Sequence, residues 1–208
     1  MINKRAMKNM ENSNIPSQVT GKKLDITEER TYRTSEEAVA AFDRARERLY
    51  AINQWQDFAG TASATFELVN ALGQVLSRPP QVGDYVKVDI PGPGSLVGKG
   101  YDWVRVTQLE DRREDRYVQL SLQPSMPPEI LRDRDEVAHF FKPIASTNIE
   151  VQLTGLTLHV NYYGRNEETN LASESLIENA RNAFIGLGAK IGLSYPQWKR
   201  LVEGILGD

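Results

Sequence analysis

The sequence contains no cysteine. That absence removes disulfides, thiolate metal sites, iron–sulfur clusters and cysteine nucleophiles together. Histidine is nearly as scarce, with 2 residues, His139 and His159. Neither lies in a two-histidine motif, so no metal site and no cofactor are expected. No apolar run reaches the roughly 18–20 residues needed to cross a bilayer. The N-terminal "MINKRAMKNMENSNIPSQ" also lacks the apolar core of a secretory signal. An excess of one charge is missing too: 25 Lys and Arg stand against 28 Asp and Glu, a net charge of −3. Such a chain has no global field to draw it to nucleic acid or anionic lipid. It reads as soluble and cytoplasmic. No catalytic constellation is visible, and the expectation leans towards a protein that is not an enzyme.

What is present is an ordinary globular composition, 40% hydrophobic and 25% charged over 208 residues, enough for one sizeable core. Residues 1–24 are polar and without period, and read as a mobile tail or a segment tied down late. Residues 25–208 read as a single α+β domain. "KLDITEERTY" (23–32) alternates weakly, as a first strand would. A helix over 35–55 follows, its start marked by Thr34 and Glu37 at capping-box spacing. Val39, Phe42, Ala45, Leu49 and Ile52 form its apolar stripe.

From residue 62 the period becomes two. Ala64, Phe66 and Leu68 share a face, as do Val86, Val88 and Ile90, then Val104 and Val106, then Val118, Leu120 and Leu122. The pattern returns at Ile149, Val151 and Leu153, and at Leu156, Leu158, Val160 and Tyr162. Their alternate neighbours are polar, which predicts antiparallel strands with one face on a core and the other largely wet. Residues 110–116 and 154–155 read as hairpin tips. Helical spacing resumes in "SESLIENARNAFIGLGAKIGL" and again after Ser194, with Trp198, Leu201, Val202 and Ile205 as the last stripe. Helix, strands, then helices predict a bent antiparallel sheet or partly open barrel, packed against an N-terminal helix and a C-terminal helix pair.

Three places are candidate sites. "IPGPGSLVGKGY" lacks the strand–glycine–helix order and the Lys-Ser/Thr ending of phosphate loops. It reads as a structural corner first and a binding loop (91–101) second. If the valines at 86, 88, 104 and 106 point inward, Tyr85, Trp103, Arg105 and Tyr117 point outward as a stacking platform for a ligand, base or peptide. The alternative is that this face is covered. In "NYYGRNEETN", Arg165, Asn166 and Glu167 offer a guanidinium, an amide and a carboxylate that could anchor a small anion or sugar, or tie a turn to backbone. The expectation is a binding or interaction module that uses the aromatic face or the 91–101 loop, with a protein, a small ligand or another copy of itself as partner.

Three resemblances accompany these readings. "LGAKIGLSYPQWKRLVEGI" (187–205) resembles the helix-turn-helix of bacterial DNA-binding proteins, which implies that Gln197, Lys199 and Arg200 face a groove. Gly188 and Glu203 depart from that pattern. The order strand, helix, antiparallel strands, terminal helix resembles the helix-grip fold of START-like and polyketide-cyclase-like proteins. That likeness implies a curled sheet gripping a C-terminal helix around a pocket for a small apolar ligand. The combination of "GDYVKVDIPGPG", "GYDWVRV" and "YYGRNEETN" is similar to small bacterial proteins of uncharacterised function, and implies no activity.

Overall fold

A computed structural model of the chain describes residues 14–60, 64–89, 101–128, 142–168 and 195–207. Most of the 91–101 loop, His139 and the helix read within 173–193 lie outside the described residues.

Strand β1 (Lys22–Thr31) leads into helix α1 (Ser35–Tyr50), a short 3-10 turn (Ile52–Gln54) and helix α2 (Trp55–Ala59). Six strands follow: β2 (Thr65–Val69), β3 (Tyr85–Asp89), β4 (Asp102–Arg112), β5 (Tyr117–Pro124), β6 (Ser146–Thr154) and β7 (Thr157–Glu167). Residues 195–206 form a final helix, α3. The strands make one sheet in the order β1-β7-β6-β5-β4-β3-β2, antiparallel throughout, with β1 and β2 at its edges. The fold is α+β, and its sequence of elements is that of the helix-grip alternative.

Helix α1 begins where the capping residues place it. The Glu37 N–H donates to Thr34 Oγ1 at 3.2 Å, and the Glu37 carboxylate accepts from the Arg33 N–H at 3.1 Å. Its buried face is Ala38, Ala41, Phe42, Ala45 and Leu49, whose small residues let the helix lie close across β6 and β7. The helix does not run to residue 55 as expected. It breaks at Ala51, because the residues beyond have stronger partners outside a helix. Asn53 accepts from the Leu68 N–H and donates to the Leu76 carbonyl, tying both backbones down. Trp55 is fully buried and donates its indole N–H to the Leu49 carbonyl.

Inward residues of the strands, among them Val86, Val106, Leu120, Ile149, Val151 and Val160, form one core with Phe42, Leu49 and Trp55. Leu201, Val202 and Ile205 of α3 complete it. The close fit of α3 explains Gly204: a Cβ there would stand 2.5 Å from the Phe58 carbonyl oxygen. Tyr162 stacks on Trp198 at 4.6 Å, Trp198 lies 6.4 Å from Phe66, and Phe66 meets Trp55 edge-on at 5.3 Å. This aromatic line fastens α3 to the sheet's inner face.

The outer face departs from expectation. It is not largely wet, because β5 is buried along both sides: Gln119 and Asn148 are fully buried, and Ser121, Glu150 and Asn161 nearly so. Residues 14–21 span this face. Asn14 donates to Glu110 of β4, while the N–H groups of Val19 and Thr20 donate to Asn166 Oδ1 at the end of β7. The polar segment read as a tail is therefore held as a strap from residue 14 onward. Beneath it most of these side chains satisfy one another, while Asn148 Oδ1 has no partner among the described residues.

Candidate functional site

The site is built at one end of β7, where the chain changes phase. Tyr162 and Gly164 face inward, opposite Ile149 and Thr147 of β6. Strict alternation would turn Glu167 outward. Instead the register with β1 slips between Lys22 and Leu24, and Asn166 adopts φ 54°, a left-handed conformation that Asn tolerates better than most residues. Glu167 consequently turns inward. Gly164 makes room for it, since a Cβ there would lie 2.2 Å from Glu167 Oε1.

Tyr162 donates its hydroxyl to Glu167 Oε1 at 3.2 Å and lies 3.5 Å from Thr147 Oγ1. Glu167 is itself half-buried. The carboxyl borders a small hollow lined also by Val104, Leu122, Pro124, Ala145, Ser146 and Thr147. The hollow measures about 10 Å³, room for one water molecule. Burial pushes the Glu167 carboxyl above its ordinary range, against the opposing pull of the Tyr162 hydrogen bond and the charges of Lys22 and Arg165. Burial likewise drives the Tyr162 phenol well up. The pair is a hydrogen-bonded polar group on the wall of the hollow.

The three neighbours that the sequence grouped as one anchor are thus separated. Arg165 turns outward to the Asp25 carboxylate and also donates to the Gly164 carbonyl. Asn166 holds the strap: its Oδ1 accepts from Val19 and Thr20, and its Nδ2 donates to the Ser17 carbonyl. Only Glu167 reaches the inner face. Of the three, Arg165 and Asn166 follow the turn-tying alternative.

The expected aromatic platform is corrected as well. Tyr85 and Trp103 do lie on the outer side, but they are buried with Val69 and Met126 in a second small core. Met126, just past β5, packs against them, and the Ser125 N–H extends the β4–β5 ladder by donating to the Trp103 carbonyl at 2.8 Å. Arg105 remains exposed beside them, its guanidinium 5.8 Å from the Tyr85 ring. Tyr117 belongs elsewhere, since it pairs with Arg112, seven positions along β4 from Arg105. At about 3.3 Å per residue that is on the order of 20 Å, too far for one platform.

Tyr117 instead enters the buried polar layer under the strap. Its hydroxyl is 2.7 Å from Gln119 Oε1 and 2.9 Å from Glu150 Oε2. A phenol has one proton to give. Gln119 Oε1 and Glu150 Oε2 share it, and burial pushes the Glu150 carboxyl above its ordinary range against the hydrogen bonds from Tyr117 and Asn161. Asn161 Nδ2 donates to Glu150 Oε1 at 3.0 Å, and Gln119 Nε2 to Ser121 Oγ at 3.1 Å.

The DNA-facing residues are placed on α3. Lys199 is not a free cation, because it is paired with Glu28 at 2.6 Å and with Glu203. Gln197 is half-buried and Arg200 exposed. The first helix of the helix-turn-helix pattern lies outside the described residues. His159 pairs with Glu29 at 3.1 Å, and no cluster of metal-ligating side chains occurs among the described residues. No helix among them is long and apolar enough to cross a membrane.

The inward carboxyl was missed by periodicity. The available signal was "GRNE", where Asn beside Gly at a strand end permits the bulge that reverses the phase.

No family model matches the chain, and no curated protein does. Among solved structures it is similar to a hypothetical protein from Helicobacter pylori, at 10% identity, 90% coverage of this chain, 87% of that chain and a TM-score of 0.51. A looser likeness joins it to the ginseng major latex-like protein of Panax ginseng (9% identity, 82% and 96% coverage, TM-score 0.37). Another joins it to a truncated norcoclaurine synthase from Thalictrum flavum (11% identity, 93% and 99% coverage, TM-score 0.38). At such identity the likeness to the Helicobacter pylori protein concerns the fold alone.

Proposed function

We propose that this chain binds a small apolar ligand on the inner face of its sheet, at the end marked by Glu167. The observation that carries the reading is the Tyr162–Glu167 pair: a half-buried polar group turned inward by a bulge, beside a hollow lined also by Val104, Leu122 and Ala145. Few convergent polar groups in apolar surroundings are the usual make-up of a ligand site. The helix-grip order of elements agrees with it. Ligand sites ordinarily hold roughly 300–1,000 Å³, so binding requires the walls to part around the hollow.

Titration with N-phenyl-1-naphthylamine, a fluorescent apolar probe, tests the reading. Saturable binding is expected, with energy transfer from Trp198, which stacks on Tyr162. Ala145→Phe fills the hollow and weakens binding by about tenfold or more, equivalent to about 1.4 kcal/mol, whereas Arg105→Ala on the outer face leaves it unchanged. Binding that survives Ala145→Phe but is lost with Arg105→Ala would return the site to the outer face.

A further inference from the structure

The buried layer on the outer face carries an unmet hydrogen-bonding requirement at its centre. Ser121 of β5 and Asn148 of β6 stand directly opposite each other, so their side chains rise side by side from one face of the sheet. Ser121 is 5% exposed and Asn148 fully buried. Asn148 gives both hydrogens of its Nδ2, to Ser146 Oγ at 3.1 Å and to the Tyr163 carbonyl at 3.0 Å. Exchanging its amide oxygen and nitrogen would set two oxygens against each other at Tyr163, so the hydrogen bonds fix the amide's orientation. Asn148 Oδ1 is then left without a partner among the described residues. Ser121 has the converse deficit. Its Oγ accepts from Gln119 Nε2 at 3.1 Å, and its own hydrogen has no acceptor among the described residues. An unspent donor and an unspent acceptor thus face each other across one strand pair without bonding directly. Ser121 is also the short member of its row, between Gln119 and Gln123 on the same side of β5, which leaves space above it.

We propose that one water molecule is bound between these two residues, accepting from the Ser121 hydroxyl and donating to Asn148 Oδ1. Both needs are met by an atom that accepts and donates at once, and water is its smallest carrier. Buried waters ordinarily serve such otherwise unsatisfied groups, with roughly two to four hydrogen bonds each. The strap closes the site. It is fastened to Glu110 through Asn14 and to Asn166 through Ser17, Val19 and Thr20. Glu110 lies in the row of Gln119, Glu150 and Asn161, whereas Asn166 lies beyond the row of Ser146 and Arg165. The line between the fastenings therefore crosses β5 and β6 near Ser121 and Asn148, and the half-buried Ile15 and Pro16 lie along it. Pro16 has no N–H to offer Asn148, so the strap covers the water without replacing it, and the water leaves when the strap lifts. The site is separate from the inner face and stands whether or not a ligand binds there.

Water oxygen-17 relaxation dispersion tests the proposal, since it counts long-lived internal waters and is blind to protein hydroxyl groups. Wild type is compared with Ser121→Asn, whose longer amide reaches Asn148 Oδ1 itself and fills the water's place. The dispersion amplitude should fall by the worth of about one water. Asn148→Leu, which removes the acceptor, should lower it by the same amount. Asn166→Ala, which loosens the strap, should shorten the residence time of that water several-fold. An amplitude unchanged in either folded variant, or no long-lived water in wild type, overturns the site. An unchanged residence time in Asn166→Ala overturns the strap's part in closing it. Urea denaturation shows whether each variant is folded, and Asn148→Leu decides the matter should Ser121→Asn not fold.

Discussion

Asn166 joins the strap to the site, so its replacement tests how the outer and inner faces depend on each other. In Asn166→Ala, three hydrogen bonds to residues 17–20 are lost: two accepted by Oδ1 at 2.7 and 3.2 Å and one donated by Nδ2 at 3.1 Å. Val19 is 76% exposed, so the freed backbone groups find water, and each bond counts at about 0.5–1 kcal/mol. Alanine at φ 54° adds about 1 kcal/mol of left-handed strain. The sum is about 3 kcal/mol. Asn166→Gly removes the same bonds without the strain and should be less destabilised than Asn166→Ala by about 1 kcal/mol. Urea unfolding measures both, and native-state hydrogen exchange at Val19 and Thr20 reads the strap directly. Protection there should collapse in both variants while core amides of β5 and β6 keep theirs. Unchanged protection at Val19 and Thr20, or equal stability of the two variants and wild type, would refute the assignment of Asn166 as the strap's fastening.

Other consequences follow from burial. Trp103→Ala empties the second small core and should cost about 3–5 kcal/mol in unfolding free energy; a cost below 1 kcal/mol would mean that Trp103 stands free as a platform. Glu150 has a folded-state pKa raised by burial, so its neutral form stabilises the fold fully below the ordinary carboxylate pKa, and that contribution is lost as pH rises through the raised value. Glu150→Gln should therefore flatten stability against pH over that window, and a wild-type-like slope in the variant would contradict the assignment. Gly164→Ala presses its methyl against the Glu167 carboxyl, the movable end of a side chain. It should change stability by less than about 1.5 kcal/mol yet weaken N-phenyl-1-naphthylamine binding, whereas binding at wild-type strength would show that the carboxyl's position is immaterial.

Alternation made most of the sheet legible. Val86 opposite Val104, Leu120 opposite Ile149 and Val151 opposite Val160 fall where a period of two puts them. The start of α1 was legible because Thr34 and Glu37 carry their own local chemistry. Its end was not, because Asn53 and Trp55 leave the helix for partners far along the chain, at Leu68 and Leu76, or for a buried indole's need of an acceptor. The wetness of the outer face was misread for a related reason. Gln119, Ser121, Asn148 and Glu150 look identical in sequence whether water or other side chains satisfy them, and the strap that spans them is itself polar. Glu167 was named as a candidate, but its inward turn was not legible, because one bulge reverses inside and outside, and a bulge is written in backbone dihedrals more than in residue type.

The account stands on the inner face being the binding face. Amide chemical-shift mapping during titration with N-phenyl-1-naphthylamine tests this most directly. The largest shifts are predicted at Val104, Leu122, Ala145, Thr147 and Glu167, with Val69, Tyr85, Trp103 and Met126 still. Shifts concentrated on that second group, with the residues around Glu167 unmoved, would contradict it.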